Sequence, residues 1–262
     1  MLSVYAARLG ADACVSRNAD LPHYAASTMK VAVLAALYRS GLDLDAPVPV
    51  RNSFFSAVPG PAYGIVPDWE IDPGTWRLVG ERASLRWLAR QMVVHSSDLA
   101  ANHCLAHVGL DAVAEVWRLA GARHSSTRRG IQDFAARAAG VTNLVTAADL
   151  ARLLCWLPGD LLELLAENAH RVDLAAGLPP GTWIAFKNGW VPGVRHSAGI
   201  VRPPDAPPYV IAVCYTGPLA TGQATGDPAA RLLARISATL WSHRDGLGGS
   251  PDFAGTSTDG SL

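Results

Sequence analysis

The sequence predicts an α/β (α+β) fold: an antiparallel sheet flanked by helices, assembled from both ends of the chain, with an all-helical lobe inserted between them. Three observations support it. Strand-like runs occupy residues 2 to 16 and return after residue 182. The stretch between them carries apolar side chains at helical spacing. Half of the 262 residues are hydrophobic and 17% are charged, enough apolar material for a large core without disulfide or metal staples.

The elements follow in order. LSVYAARL (2–9) and DACVS (12–16), separated by Gly10-Ala11, read as a hairpin. Ser27 opens a proline-free helix, STMKVAVLAALYRSG, that ends near Gly41. Residues 42–81, rich in proline, glycine and aromatics, predict an irregular connection with at most short helical turns. Helical spacing resumes at Ser84 with Leu85, Leu88 and Met92, breaks at His95-Ser96-Ser97, and continues from Leu99 to Val108. Residues 110–120 and 146–156 are also helical, the second opening on a capping-box-like Thr146-x-x-Asp149. After Pro179-Pro180-Gly181 come three β runs, TWIAFKNGW, SAGIVR and PYVIAVCY, then a helix over about Pro228 to Ser242. The expected division is 1–41 with 183–243 for the sheet lobe, 42–182 for the helical lobe, and a disordered Gly/Ser/Asp-rich tail, 244–262.

Composition excludes several functions. Twenty-two basic residues balance 22 acidic ones, so no basic field exists to hold nucleic acid. The longest apolar run, Val31 to Tyr38, is far short of the roughly 20 residues of a membrane span. The N-terminal MLSVYAARLG resembles no secretory leader, so a cytoplasmic location is expected, and a monomer is expected. Cys14, Cys104, Cys155 and Cys214 are scattered without metal-like spacing and read as reduced thiols. His103 and His107 sit at i, i+4 but lack a following glutamate and a third ligand, so neither a metal nor another cofactor is expected.

The basic residues carry the sharper signal. Only Lys30 and Lys187 are lysine; every other cation is arginine. Arginine replaces lysine at little cost on a solvated surface, but guanidinium cannot lose a proton at usable pH, whereas a buried amine can. The two lysines are therefore candidates for chemistry. Ser27-Thr28-Met29-Lys30 puts a hydroxyl and an amine one turn apart on one face of a helix start, where the amine can take the hydroxyl proton. Lys187-Asn188-Gly189 ends a strand-like run, and its glycine lets another backbone approach.

With the polar break His95-Ser96-Ser97-Asp98, these segments resemble the S-x-x-K, S-D-N and K-T-G motifs of the penicillin-recognising serine enzymes, over about residues 2 to 243. That group comprises the class A β-lactamases and the D-alanyl-D-alanine peptidases. Asn102 lies six residues after Ser96, the spacing of a second asparagine in class A enzymes, so Ser96 matches the motif serine. The resemblance implies a β-lactamase/transpeptidase-like fold and an acyl-enzyme on Ser27. It makes Lys30 the base, Ser96 the proton relay to the leaving group, and Lys187 the group that polarises the relay and attracts a substrate carboxylate. It implies an oxyanion hole from the backbone N–H groups of Ser27 and Trp190, a carboxylate-binding role for Arg195, and a loop-bracing one for Asn102.

The sequence also departs from the pattern. Asp98 stands where the family's asparagine meets the substrate, and a carboxylate accepts but cannot donate. Asn188 replaces the hydroxyl residue beside Gly189. No glutamate lies between Gly121 and Thr146, so Asp133 is the available substitute for the loop base of deacylation. The expected substrate is a small amide, ester or lactam that bears a carboxylate near Lys187 and Arg195. An intracellular esterase or acyltransferase, and an inert binding scaffold, are the alternatives that the residues leave open.

Overall fold

The structure, a computed structural model, describes residues 1–247. The hairpin forms as the sequence predicts: β1 (Leu2–Arg8) pairs with β2 (Ala13–Arg17) across the Gly10 turn. Chain-terminal strands β7 (Trp183–Val191), β8 (Val194–Arg202) and β9 (Tyr209–Thr216) complete a five-stranded antiparallel sheet in the order β2-β1-β9-β8-β7. Two-stranded pairs β3 (His23–Tyr24) with β6 (Leu144–Val145), and β4 (Pro47–Pro49) with β5 (Arg82–Ser84), pin loops nearby.

Both sheet faces are covered, so strand side chains alternate between two cores. Ala185, Ala198, Ile200, Val210, Ala212 and Cys214 face α1 (Lys30–Arg39), α3 (Leu85–Val94), α4 (Asp98–Leu119) and α6 (Ala147–Trp156). Ile184, Phe186, Tyr209, Ile211 and Val213 face α8 (Pro228–Ser242) and the 3-10 segment Asp173–Gly177. α1 is apolar all round and buried from Lys30 to Leu37, as befits a helix enclosed by others. Fully burying Leu34 or Leu37 stabilises the fold by about 2 kcal/mol each.

Several details depart from expectation. The two helices read over 99–108 and 110–120 both form, abutting within α4 at Gly109, whose φ of 79° and ψ of 162° are not helical. Thr146 caps α6 by accepting from Asp149 N at 3.1 Å, but Asp149 does not close a capping box: its carboxylate accepts from the backbone N–H groups of Arg123, His124 and Ser125. Three short helices, α2 (Pro73–Trp76), α5 (Phe134–Ala138) and α7 (Gly159–Ala166), lie in stretches too short for periodicity to reveal them. Arg244–Gly246 forms a 3-10 turn tied by Arg8 Nη2 to Asp245 O, so the start of the expected tail is ordered; residues 248–262 lie outside the described residues. The four cysteines are unpaired, two of them buried. Among the described residues no helix is long and apolar enough to cross a membrane.

Candidate active site

Ser27 sits half-buried in a single 3-10 turn, Ala26–Met29, that feeds α1. Neither the turn nor α1 is closed by a side-chain cap, so the serine hydroxyl is left for other use. Lys30 follows one turn on, fully buried. Edge strand β7 presses against this turn at Gly189. A β-carbon there would come within 2.6 Å of Ser27 N and 3.0 Å of Thr28 N. Only glycine allows the strand edge and the serine's amide to lie this close, with Trp190 next along the strand.

The third segment is the link between α3 and α4. Ser97 caps α4 by accepting from Ala100 N at 3.1 Å, and Ser96 adopts φ 60°. That left-handed turn delivers Ser96 to both lysines. Lys30 Nζ donates to Ser96 O at 2.6 Å and lies 3.4 Å from Ser96 Oγ. Lys187 Nζ donates to the same Oγ at 2.9 Å and to Asn188 O at 2.8 Å. Two amines 157 residues apart in sequence thus meet at one hydroxyl.

Their electrostatics differ. Lys30 is ion-paired with Asp98 at 2.8 Å, and Gln132 Nε2 donates to the other Asp98 oxygen at 3.2 Å. Lys187 has neutral partners only among its hydrogen bonds, and complete burial, with the charge of Lys30 adding to it, pushes its pKa well below the ordinary ammonium range. The surroundings of Lys187 thus disfavour a proton on its amine.

Asn188, Arg195, Asp133, Asn102 and the Trp190 side chain, all singled out from sequence, do not join this cluster. Paired residues Trp190 and Arg195 share the sheet face opposite Lys187, and Asn188 lies there too. Arg195 is no substrate-facing cation: it is fully buried, with Nε on Asp173 at 2.6 Å, Nη2 on Ala224 O at 3.0 Å, and its guanidinium 4.7 Å from the Trp190 ring. Asn188 donates to His170 O and Asp173, so its amide is spent inside the protein. Asp133 is fully buried and accepts from Ser56 Oγ, Ala57 N and Ala136 N, capping α5 and tying its loop to residues 56–57. Such a carboxylate has little capacity left for a water. Asn102 braces the same loop, with Nδ2 on Ile131 O at 2.9 Å and Oδ1 accepting from Ile131 N at 2.8 Å.

Two residues join the site unannounced. Gln132, at φ 61°, accepts from Val66 N through Oε1 and turns its amide nitrogen to Asp98. Glu70 accepts from Leu99 N at 2.7 Å at the start of α4, and burial, with the nearby charge of Asp98, raises its pKa. Both come from loops where no periodicity marks a residue. Of the five non-glycine residues with positive φ among the described residues, Ala26, Ser96, Gln132 and Asp173 belong to the site or its supports, and Asn18 does not. Exposed Trp69 and Phe134, ring centroids 5.7 Å apart, follow the same two loops.

Residues 1–244 match the family model described as the beta-lactamase enzyme family. The chain belongs to this family and is a serine hydrolase. Its fold is similar to that of PBP-A (TM-score 0.71, 21% identity, 92% of this chain and 90% of the other). A beta lactamase from Xanthomonas campestris pv. campestris str. ATCC 33913 is also similar (0.75, 22%, 95% and 92%), as is a class A beta-lactamase from Mycobacterium abscessus (0.73, 22%, 92% and 94%). No curated protein matches the chain in sequence.

Proposed function

We propose that Ser27 is acylated by a small amide, ester or lactam, and that the acyl-enzyme outlives the acylation step. The observation that carries this is the Ser96 hydroxyl held between two buried amines, 2.9 Å from Lys187 and 3.4 Å from Lys30. Lys30 passes its proton through Ser96 to Lys187, which frees Lys30 to take the Ser27 proton as Oγ bonds to the carbonyl carbon. As the scissile bond breaks, Ser96 hands a proton to the leaving group and recovers one from Lys187. The amide of Ser27, beside the edge of β7, is in place to stabilise the oxyanion, with Trp190 N as the second donor.

Slow deacylation follows from Asp133, whose carboxylate is committed to its loop. That argues for slow turnover of the acyl-enzyme and keeps a lactam, amide or ester as the acylating substrate. Lys187 and Arg195 are both buried against protein oxygens, so neither offers a free cation to a substrate carboxylate. The inert scaffold is the poorest fit, since burying two amines together costs stability that binding alone does not require. Intact-mass spectrometry after incubation with a fluorophosphonate or a fluorescent penicillin tests the reading. A persistent adduct on Ser27, shortened by an added amine or alcohol, is expected. Rapid loss of the penicilloyl adduct in buffer alone restores the hydrolytic reading, and absence of any adduct overturns the acyl-enzyme.

A further inference from the structure

The charged groups around Ser27 are exposed unequally. Lys30 and Lys187 are 0% and 1% exposed, and each is satisfied by protein oxygens. The Asp98 side chain is 20% exposed, with half-buried Glu70 behind it on Leu99 N. A carboxylate can accept roughly four hydrogen bonds. Lys30 takes one oxygen of Asp98 and Gln132 the other, which leaves acceptor capacity on the exposed edge. The nearest side-chain amide, Gln132, is turned toward Asp98 rather than offered to a ligand, because Val66 N holds its oxygen. A substrate carbonyl placed there would face an acceptor; an N–H would be paired.

We propose that Asp98 receives an ammonium or other N–H donor on the acyl side of the substrate, so that the enzyme acylates itself from amine-bearing esters, amides or lactams in preference to their N-acylated counterparts. The inference rests on the acyl-enzyme reading. The transfer is otherwise unchanged: Ser27 Oγ bonds to the carbonyl carbon, the leaving group departs with a proton, and the substrate ammonium stays intact beside Asp98.

The test compares the p-nitrophenyl ester of alanine with that of N-acetylalanine, below the pKa of the ester's own amine. Acylation rates are normalised to alkaline hydrolysis, and a neutral fluorophosphonate serves as reference. The wild-type protein should prefer the free amine by about tenfold or more, the worth of one charge-assisted hydrogen bond. Asp98→Glu should keep much of that preference and Asp98→Asn should lose it, whatever either does to the absolute rate. A wild-type ratio near one or reversed, or a preference that survives Asp98→Asn, overturns the inference while fluorophosphonate labelling leaves the acyl-enzyme standing. No Ser27 adduct from any of the three probes overturns both.

Discussion

Ser96 holds a left-handed backbone conformation that costs a residue with a β-carbon about 1–2 kcal/mol. The return is chemical, because the turn brings one hydroxyl within reach of Lys30 and Lys187. Charge alone does not explain Lys187, and Lys187→Arg separates field from proton transfer. Guanidinium supplies the charge but cannot accept a proton. Acylation of Ser27 should fall about 100-fold or more, read as the rate of fluorophosphonate labelling; near-normal labelling would leave Lys187 a purely electrostatic role. His196 shows the same logic in stability. Tyr215 N donates to its Nδ1 and its Nε2 faces Tyr24 O, so the ring is neutral with one nitrogen as acceptor. Burial, with smaller help from His23, pushes its pKa down from 6.5 to about 4. The unfolded chain therefore takes up a proton below pH 6.5 that the folded one refuses until about pH 4, and stability falls with pH across that window. The loss is about 3 kcal/mol by its lower end. Urea unfolding at neutral pH and near pH 4.5 should show a smaller drop for His196→Asn than for the wild-type protein.

Between elements, the contact that matters most is β7 against the Ser27 turn. Gly189→Ala would place a methyl 2.6 Å from Ser27 N. The neighbour is backbone and cannot swing aside, so labelling of Ser27 should drop at least tenfold while the far-ultraviolet dichroism stays native. Much at this scale was legible beforehand. The hairpin, α1 and the three C-terminal strands follow from period and punctuation, and the rarity of lysine pointed to the two residues that converge. The sidedness of β7 was legible too: a period of two puts Asn188 behind the strand when Lys187 is in front, and antiparallel pairing sends Arg195 after Trp190. Motif spacing alone carries no such sidedness. Gln132 and Glu70 were not legible, because irregular loops give neither periodicity nor spacing, and their positions depend on backbone partners far away in sequence.

At the scale of the whole molecule, Arg195 fastens three parts together. It joins the sheet to the Asp173–Gly177 segment and to the loop that leads into α8, where Gln223 O and Ala224 O accept from it and Asp227 lies 3.6 Å away. Burial raises the pKa of Asp173 even with the guanidinium beside it. Arg195→Met would strand these carboxylates, at a cost of about 3–5 kcal/mol and a fall in Tm of roughly 10 °C by calorimetry. Since the residue lies behind the sheet, Ser27 labelling of the surviving folded protein at low temperature should be little changed. The chain's two lysine side chains are both sealed in the interior. Succinimidyl esters and lysine-directed cross-linkers consequently meet a coat of guanidinium groups and no ε-amine at all. Modification of Lys30 or Lys187 should proceed only through opening of the fold, at a rate that tracks denaturant, so peptide mapping of these two positions becomes a gauge of how often the catalytic interior is breached.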